Sequence, residues 1–166
     1  KFLFLNMPKI TKITQQRKTS RVNIYLDNEF AFGISKKTLI DFNLFVGKRI
    51  SKKEIEKILE KDQFVKALEK SFQLLGIRPR SQKELEKKLK EKSFAPKIIK
   101  KTIKRIKELG YLDDKKFAKA WLEAKKLSGK GKYFIEKGLK QKGLDEEIVK
   151  KTISHYKIKD ELKIAS

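Results

Sequence analysis

The sequence predicts a mainly α-helical protein, built of tandem three-helix repeats in a helical array behind a small N-terminal antiparallel β-hairpin or sheet. Three observations lead there. Apolar residues alternate with polar ones early in the chain and change to helical spacing from residue 51. The helical part repeats itself at an offset of 50 residues. Helix-starting and helix-ending residues punctuate it at matching places.

The chain opens on Lys1-Phe-Leu-Phe-Leu-Asn6, an apolar run too short to span a bilayer and lacking a signal peptide's cleavage region. Met7 reads as a candidate natural start, which makes residues 1–6 upstream readthrough or a cloning scar and residues 1–8 a leader. Residues 9–63 form the strand region plus a helix. Ile10 and Ile13, then Val22, Ile24 and Leu26, mark half-buried strands. Asp27-Asn28 is a turn signal, since both residues tolerate positive φ. Glu29-Phe-Ala-Phe-Gly33 reads as the return strand. So small a sheet is marginal alone and should pack on something helical.

Ser51 with Glu54 is a capping box that opens a helix with Ile55, Ile58 and Leu59 on one face. A separate helix follows with Val65, Leu68, Phe72 and Leu75, ended by Gly76 in a left-handed cap.

Sliding the chain by 50 residues places Leu85 and Leu89 on Ile135 and Leu139, Phe94 on Leu144, and Ile98 and Ile99 on Ile148 and Val149. Lys100-Lys-Thr-Ile103 falls on an identical Lys150-Lys-Thr-Ile153, and Leu68 and Phe72 fall on Ala118 and Leu122. The first repeat, 64–113, reads as helices at 64–75, 82–92 and 96–109. The second, 114–157, reads as helices at 114–127, 132–142 and 146–157. Ser81 with Glu84 caps one helix, Pro96 suits a first turn, Gly110 and Gly143 follow helix ends, and Asp113 and Asp145 stand as N-caps. A three-helix unit has a thin core, so stacking such units buries what each leaves exposed. Residues 158–166 resemble the start of a truncated third repeat.

The formal net charge is +23, of which residues 1–63 carry +7 and residues 64–157 carry +16. Such a surface attracts polyanions. The opposing reading is compositional: 38 of the 44 basic residues are Lys, as a genome rich in A and T would favour, and Lys solvates helix faces as readily as it meets phosphates.

Enzymatic chemistry finds little footing. There is no Cys, which removes disulfides, thiolate metal sites and cysteine nucleophiles and suits a cytoplasmic protein. The one His, His155, sits on a helix without a partner set. Gly129-Lys-Gly131 lacks the spacing of a phosphate loop. Asp113-Asp114 at a helix start reads as capping before metal binding. We expect no catalytic residue, no cofactor, no metal and no membrane span.

The candidate binding residues are basic. Arg78-Pro-Arg80 precedes a helix N-terminus and is either an anion site or a brace between helices. The matching turn in the second repeat carries Lys130 and Lys132. Lys97, Lys100, Lys101 and Lys104 share one side of a helix, opposite a stripe of Ile99, Ile103 and Ile106. This is a partner face or a solvated one. Trp121 packs between repeats or in the core, or else anchors a partner.

Arg78-Pro-Arg-Ser-x-x-Glu-Leu-x-x-Lys-Leu89, then Leu109-Gly-Tyr-Leu-Asp-Asp114 with Phe117-Ala118, then Gly131-x-x-x-Ile135-x-x-x-Leu139-x-x-Lys-Gly143, together resemble the RecX family of regulatory proteins. The resemblance covers about residues 64–157. It implies a curved, basic, non-enzymatic body, expected as a monomer. It implies binding along the groove of the RecA–DNA filament, with contact to the DNA backbone. It further implies inhibition or other modulation of RecA ATP hydrolysis and strand exchange, and so a place in homologous recombination, DNA repair and the SOS response. The rival is a helical module that binds DNA directly without RecA. Two departures stand out: Ser128 and Lys130 occupy a turn where members often carry more Arg, and the third repeat is nearly absent.

Overall fold

A computed structural model describes residues 7–156. The leader at 1–6 and the expected start of a third repeat at 158–166 lie outside those residues. The chain divides into two compact units, 1–66 and 67–166.

In the first unit, three strands, β1 (Ile10–Gln15), β2 (Arg21–Leu26) and β3 (Glu29–Ser35), form an antiparallel sheet in the order β1-β2-β3. The β2–β3 turn is Asp27-Asn28, with φ of 49° and 73°. That is the doubly left-handed geometry which matches strand twist in a tight hairpin. Ile10 and Ile13 both face inward although three residues apart, because the β1–β2 register shifts between Ile10 and Lys12. A bulge of this kind inserts a residue and restores the inward face. Ile10, Val22, Ile24, Ile34, Leu44, Ile50 and Ile58 make the core of this unit.

A short helix, α1 (Lys36–Asp41), follows β3, capped by Ser35. Next comes α2 (Lys52–Ile77), one continuous helix of 26 residues. This corrects the expectation of two helices with a stop at Gly76. Gly76 keeps helical backbone and the helix ends one residue later. There the pre-proline position of Arg78 disfavours helix.

Asp62 on α2 has a relative exposure of 2%. Its carboxylate accepts from Arg21 Nη2 at 2.9 Å and from the Ser35 backbone N–H at 2.7 Å, with Thr38 Oγ1 at 3.4 Å and Lys66 Nζ at 3.5 Å. Burial pushes this carboxyl up. The Arg21 hydrogen bond, the Ser35 N–H and the two cations outweigh burial and hold it below its ordinary value. The group thus ties β2, the β3–α1 corner and α2 together within this unit.

The second unit holds the end of α2, then α3 (Gln82–Glu91), α4 (Pro96–Glu108), α5 (Asp114–Leu127), α6 (Lys132–Gln141) and α7 (Glu146–Ile153). The sequence spacing places the starts of these helices, although α7 ends at Ile153, four residues before the expected 157, and the local signals explain most of the starts. Ser81 and Glu84 form the capping box of α3, Pro96 opens α4, and the Asp113 side chain accepts from the N–H groups of Lys115 and Lys116. Asp145 occupies the N-cap of α7 but makes no side-chain cap bond. Leu85 and Leu89 match Ile135 and Leu139, all fully buried.

The 50-residue register fails in the first helix of each repeat. The buried pairs are Ala67 with Ser71 and Ala118 with Leu122, a displacement of one further residue. Phe72, expected in the core, stays 39% exposed and meets the Tyr111 ring edge-on. Burying Ser71 in its place is tolerated because its hydroxyl donates to the Ala67 carbonyl at 2.7 Å.

Removing the buried acid should leave Arg21 and the Ser35 N–H without their partner. We expect Asp62→Ala to destabilise the protein by about 3–5 kcal/mol and Asp62→Asn by less, measured by urea unfolding followed by far-UV circular dichroism. An Asp62→Ala protein as stable as the parent would refute this role.

Candidate functional site: the junction of the two repeats and its lysine faces

The N-terminus of α3 has free N–H groups that need acceptors. Ser81 Oγ accepts the Glu84 N–H at 3.2 Å. The same hydroxyl donates at 2.6 Å to the carbonyl of Lys142, which ends α6. A helix start in the first repeat therefore abuts a helix end in the second, positive dipole end to negative. The next amide, Gln82 N–H, donates to Asp114 Oδ1 at 2.8 Å. Asp114 thus caps the neighbouring repeat's helix, while Asp113 caps its own. Burial raises the Asp114 carboxyl above its ordinary value, and Asp145 and Asp113 add to this. The Gln82 N–H and Lys107 pull the other way.

Glu84 is the charged centre of the junction. It accepts from both terminal nitrogens of Arg78, at 3.3 and 3.2 Å, and from Lys142 Nζ at 2.7 Å. Burial pushes its carboxyl up. The bonds from Arg78, Lys142 and the Ser81 N–H more than reverse this and bring it to about 2. Gly143, with φ of +74°, lets the stem of Lys83 lie against its backbone; a Cβ there would fall 2.5 Å from Lys83 Cγ.

The predicted binding residues take different places. Arg78 is turned onto Glu84, and Arg80 Nε donates to the Leu74 carbonyl at 3.1 Å, closing the end of α2. Both side chains therefore brace the turn. Lys97, Lys100, Lys101 and Lys104 are all exposed on one side of α4. The buried face opposite is Ile98, Thr102, Ile103 and Ile106. Ile99, expected in that stripe, is only half-buried, because it borders a groove between α3 and α4. Lys130 and Lys132 are exposed, the ammonium of Lys130 lying 5.2 Å from the Phe134 ring.

Trp121 is half-buried and stacks on Phe117 at 6.2 Å between ring centroids. The ammonium groups of Lys142 and Lys125 lie 4.4 and 4.6 Å from its ring. Its Nε1 is buried without an acceptor, tight against Gly138. Trp121 therefore packs in the second repeat beside the junction and lines a shallow depression with Tyr133, Phe134, Lys125 and Lys137. Tyr133 and Phe134 are exposed.

Sequence reasoning missed three elements of this junction: the cross-repeat reach of Asp114, the double use of Ser81, and Lys142. A second acid beside a sufficient N-cap, at Asp113-Asp114, was the available signal for the first. Nothing local marked the other two.

Comparison with known proteins gives the same family along the chain. The RecX N-terminal domain model matches residues 8–51, the RecX first three-helix domain residues 67–105, and the second three-helix domain residues 113–153. The regulatory protein RecX of Bacillus subtilis is 39% identical over 127 residues, which is 75% of this chain and 48% of that protein. That of Leuconostoc mesenteroides is 34% identical over 160 residues, 96% of this chain and 60% of that protein. The chain thus spans about half the length of the first of these relatives. A crystal structure of regulatory protein RecX superposes with a TM-score of 0.74 at 28% identity, covering 96% of this chain and 79% of that one. The structure of RecX from Lactobacillus salivarius shares the fold, with a TM-score of 0.60 at 24% identity over 63% of this chain and 68% of that one.

The depressed Glu84 carboxyl sets a pH dependence with a definite sign. Its stabilising contribution is full above the ordinary carboxylate value of 4.5 and is lost as pH falls toward about 2. We expect Glu84→Gln to lower Tm at pH 6. The gap to the parent should close as pH falls from about 4.5 to 2, as read by differential scanning calorimetry. A gap independent of pH would contradict the charged role.

Proposed function

The chain belongs to the RecX family of regulatory proteins, and from that premise we propose that it is a non-enzymatic, cytoplasmic regulator of the RecA recombinase. It binds the RecA–DNA filament as a monomer and inhibits its ATP hydrolysis and strand exchange. The observation that carries this reading is the arrangement of Lys97, Lys100, Lys101 and Lys104, exposed together on α4 and backed by a buried apolar face. Like charges so close repel by a few tenths of a kcal/mol per pair, and an acidic surface or a row of phosphates offsets that cost. Lys130 and Lys132 extend the contact on the second repeat. Arg78 and Arg80 brace the turn before α3 and Trp121 packs in the second repeat, so these three support the contact instead of leading it. Lys presents a point charge and no bidentate fork, so recognition follows shape and charge spacing, not base identity.

The second reading is direct DNA binding without RecA. Trp121, Tyr133 and Phe134 among Lys125, Lys137 and Lys142 favour it, since exposed rings beside cations stack bases and hold phosphates. Gel shifts on bare and on RecA-coated DNA separate the two.

We expect replacement of Lys97, Lys100, Lys101 and Lys104 by Glu to raise at least tenfold the concentration needed to halve RecA's DNA-dependent ATP hydrolysis. The circular dichroism spectrum should not change. Parent binding should weaken steeply between about 50 and 200 mM salt. A folded quadruple variant that inhibits like the parent would refute the reading.

A further inference from the structure

The groove between α3 and α4 has a volume of about 750 Å³ and a mixed lining. Pro96, Ile99 and Ile103 form an apolar floor, and Lys83, Lys87, Lys90 and Lys100 stand around it, all exposed. Positions 83, 87 and 90 fall on one stripe of α3 by helical spacing. The two acids at the groove are already engaged. Glu84 is held by Arg78 and Lys142, and Glu86 Oε1 accepts from Gln82 Nε2 at 2.7 Å. Among the described residues none of these four lysines has an acidic side chain within ion-pair distance.

The second repeat shows that this charge is not a necessity of the fold. Fifty residues on, Lys140 is paired with Glu136 at 2.7 Å and Lys150 with Glu146 at 3.4 Å. In the first repeat Glu86 turns to Gln82 instead of Lys90, and Pro96 stands where Glu146 would neutralise Lys100. The equivalent of Ile99 is Val149, which is 1% exposed. At the positions of Lys90 and Lys100 the second repeat thus compensates its lysines and the first does not, and the half-buried aliphatic position shifts from Ile148 in the second repeat to Ile99 in the first.

We infer that the α3–α4 groove is a docking site for an acidic peptide segment that places aliphatic side chains on Pro96, Ile99 and Ile103 while its carboxylates meet Lys83, Lys87, Lys90 and Lys100. Charge complementarity selects the acid, and the floor selects apolar side chains between the acids. Nucleic acid fits less well: no aromatic ring lines the groove for bases to stack on. The inference stands on this geometry alone and does not depend on RecA as the partner.

The test uses the full chain without RecA. A fluorescein-labelled peptide of about twelve residues, with Glu and Leu at helical spacing, is titrated by anisotropy at about 150 mM salt beside a polyglutamate of equal length and an oligothymidylate. We expect the Glu–Leu peptide to bind at least tenfold more tightly than polyglutamate. Lys87→Glu with Lys90→Glu should weaken it at least tenfold. Lys115→Glu with Lys119→Glu, an equal charge change on α5, should alter it by less than twofold. Each variant is checked by circular dichroism. Equal weakening by both pairs would mean that the overall field binds the peptide and would overturn the inference. So would polyglutamate binding as well as the Glu–Leu peptide, or displacement of the peptide by oligothymidylate at lower concentration.

Discussion

A helix must find acceptors for its first N–H groups, and in this chain that requirement at the start of α3 is what joins the two repeats. Ser81 answers one amide from its own helix and spends its proton on the last turn of α6. Asp114 answers another from the first residue of α5. An acceptor at such a position is worth about 1 kcal/mol, and here one of the two, Asp114, belongs to the other repeat. The bond that finishes the helix is therefore also the bond that fixes the repeats. Glu84 adds charge to the same point. Its capping geometry holds the carboxylate still, and Arg78 from one side and Lys142 from the other close on it. The ammonium of Lys142 then rests on Trp121, so the aromatic packing of the second repeat is coupled to the capping of the first.

The parts of this structure legible in the sequence are those whose signals are local. Asp27-Asn28 specifies its turn through backbone preference alone, and the structure has both residues at positive φ. Ser81 with Glu84, Asp113 and Pro96 mark helix starts because each acts within one turn. The illegible parts depend on a distant partner. Gly76 reads as a stop on composition, yet a glycine ends a helix only if the chain turns there, and the turn is set by Arg78-Pro79 beyond it. Arg80 looks equally suited to an anion and to a brace until the carbonyl of Leu74 is seen beside it. Ile99 fits the apolar stripe by spacing, but spacing cannot say that the neighbouring helix leaves a groove there. Asp62 carries no pattern at all: one acid on a charged helix gains its meaning from Arg21, 41 residues away.

The basic residues divide by type in a way that net charge conceals. Five of the six arginines are engaged within the chain: Arg21 on Asp62, Arg49 on the Met7 carbonyl, Arg78 on Glu84, Arg80 on the Leu74 carbonyl and Arg105 on Glu108. Four of these reach across turns or between elements, where a planar fork with fixed donors can span two acceptors. Lysines supply the outward faces of α3 and α4. A genome rich in A and T can explain why Lys is abundant. It cannot explain why Arg is kept at the braces or why Glu136 and Glu146 neutralise lysines whose counterparts in the first repeat stand open. That contrast between two copies of one motif is the stronger argument for a functional surface. Composition and fold are common to both copies, and at these two positions only the first leaves its charge uncompensated.

A surface made of lysines has a definite physical character. Each ammonium is a strongly hydrated point charge that meets carboxylate or phosphate from many directions. Such a surface recognises spacing and density of negative charge and is indifferent to detailed chemistry. Specificity must then come from what fixes the spacing, which is the junction, and from whatever apolar area lies between the charges. In the first repeat that area is the floor of Pro96, Ile99 and Ile103; in the second it is the exposed pair Tyr133 and Phe134. The two repeats therefore pair the same charge with different apolar surfaces, aliphatic in one and aromatic in the other.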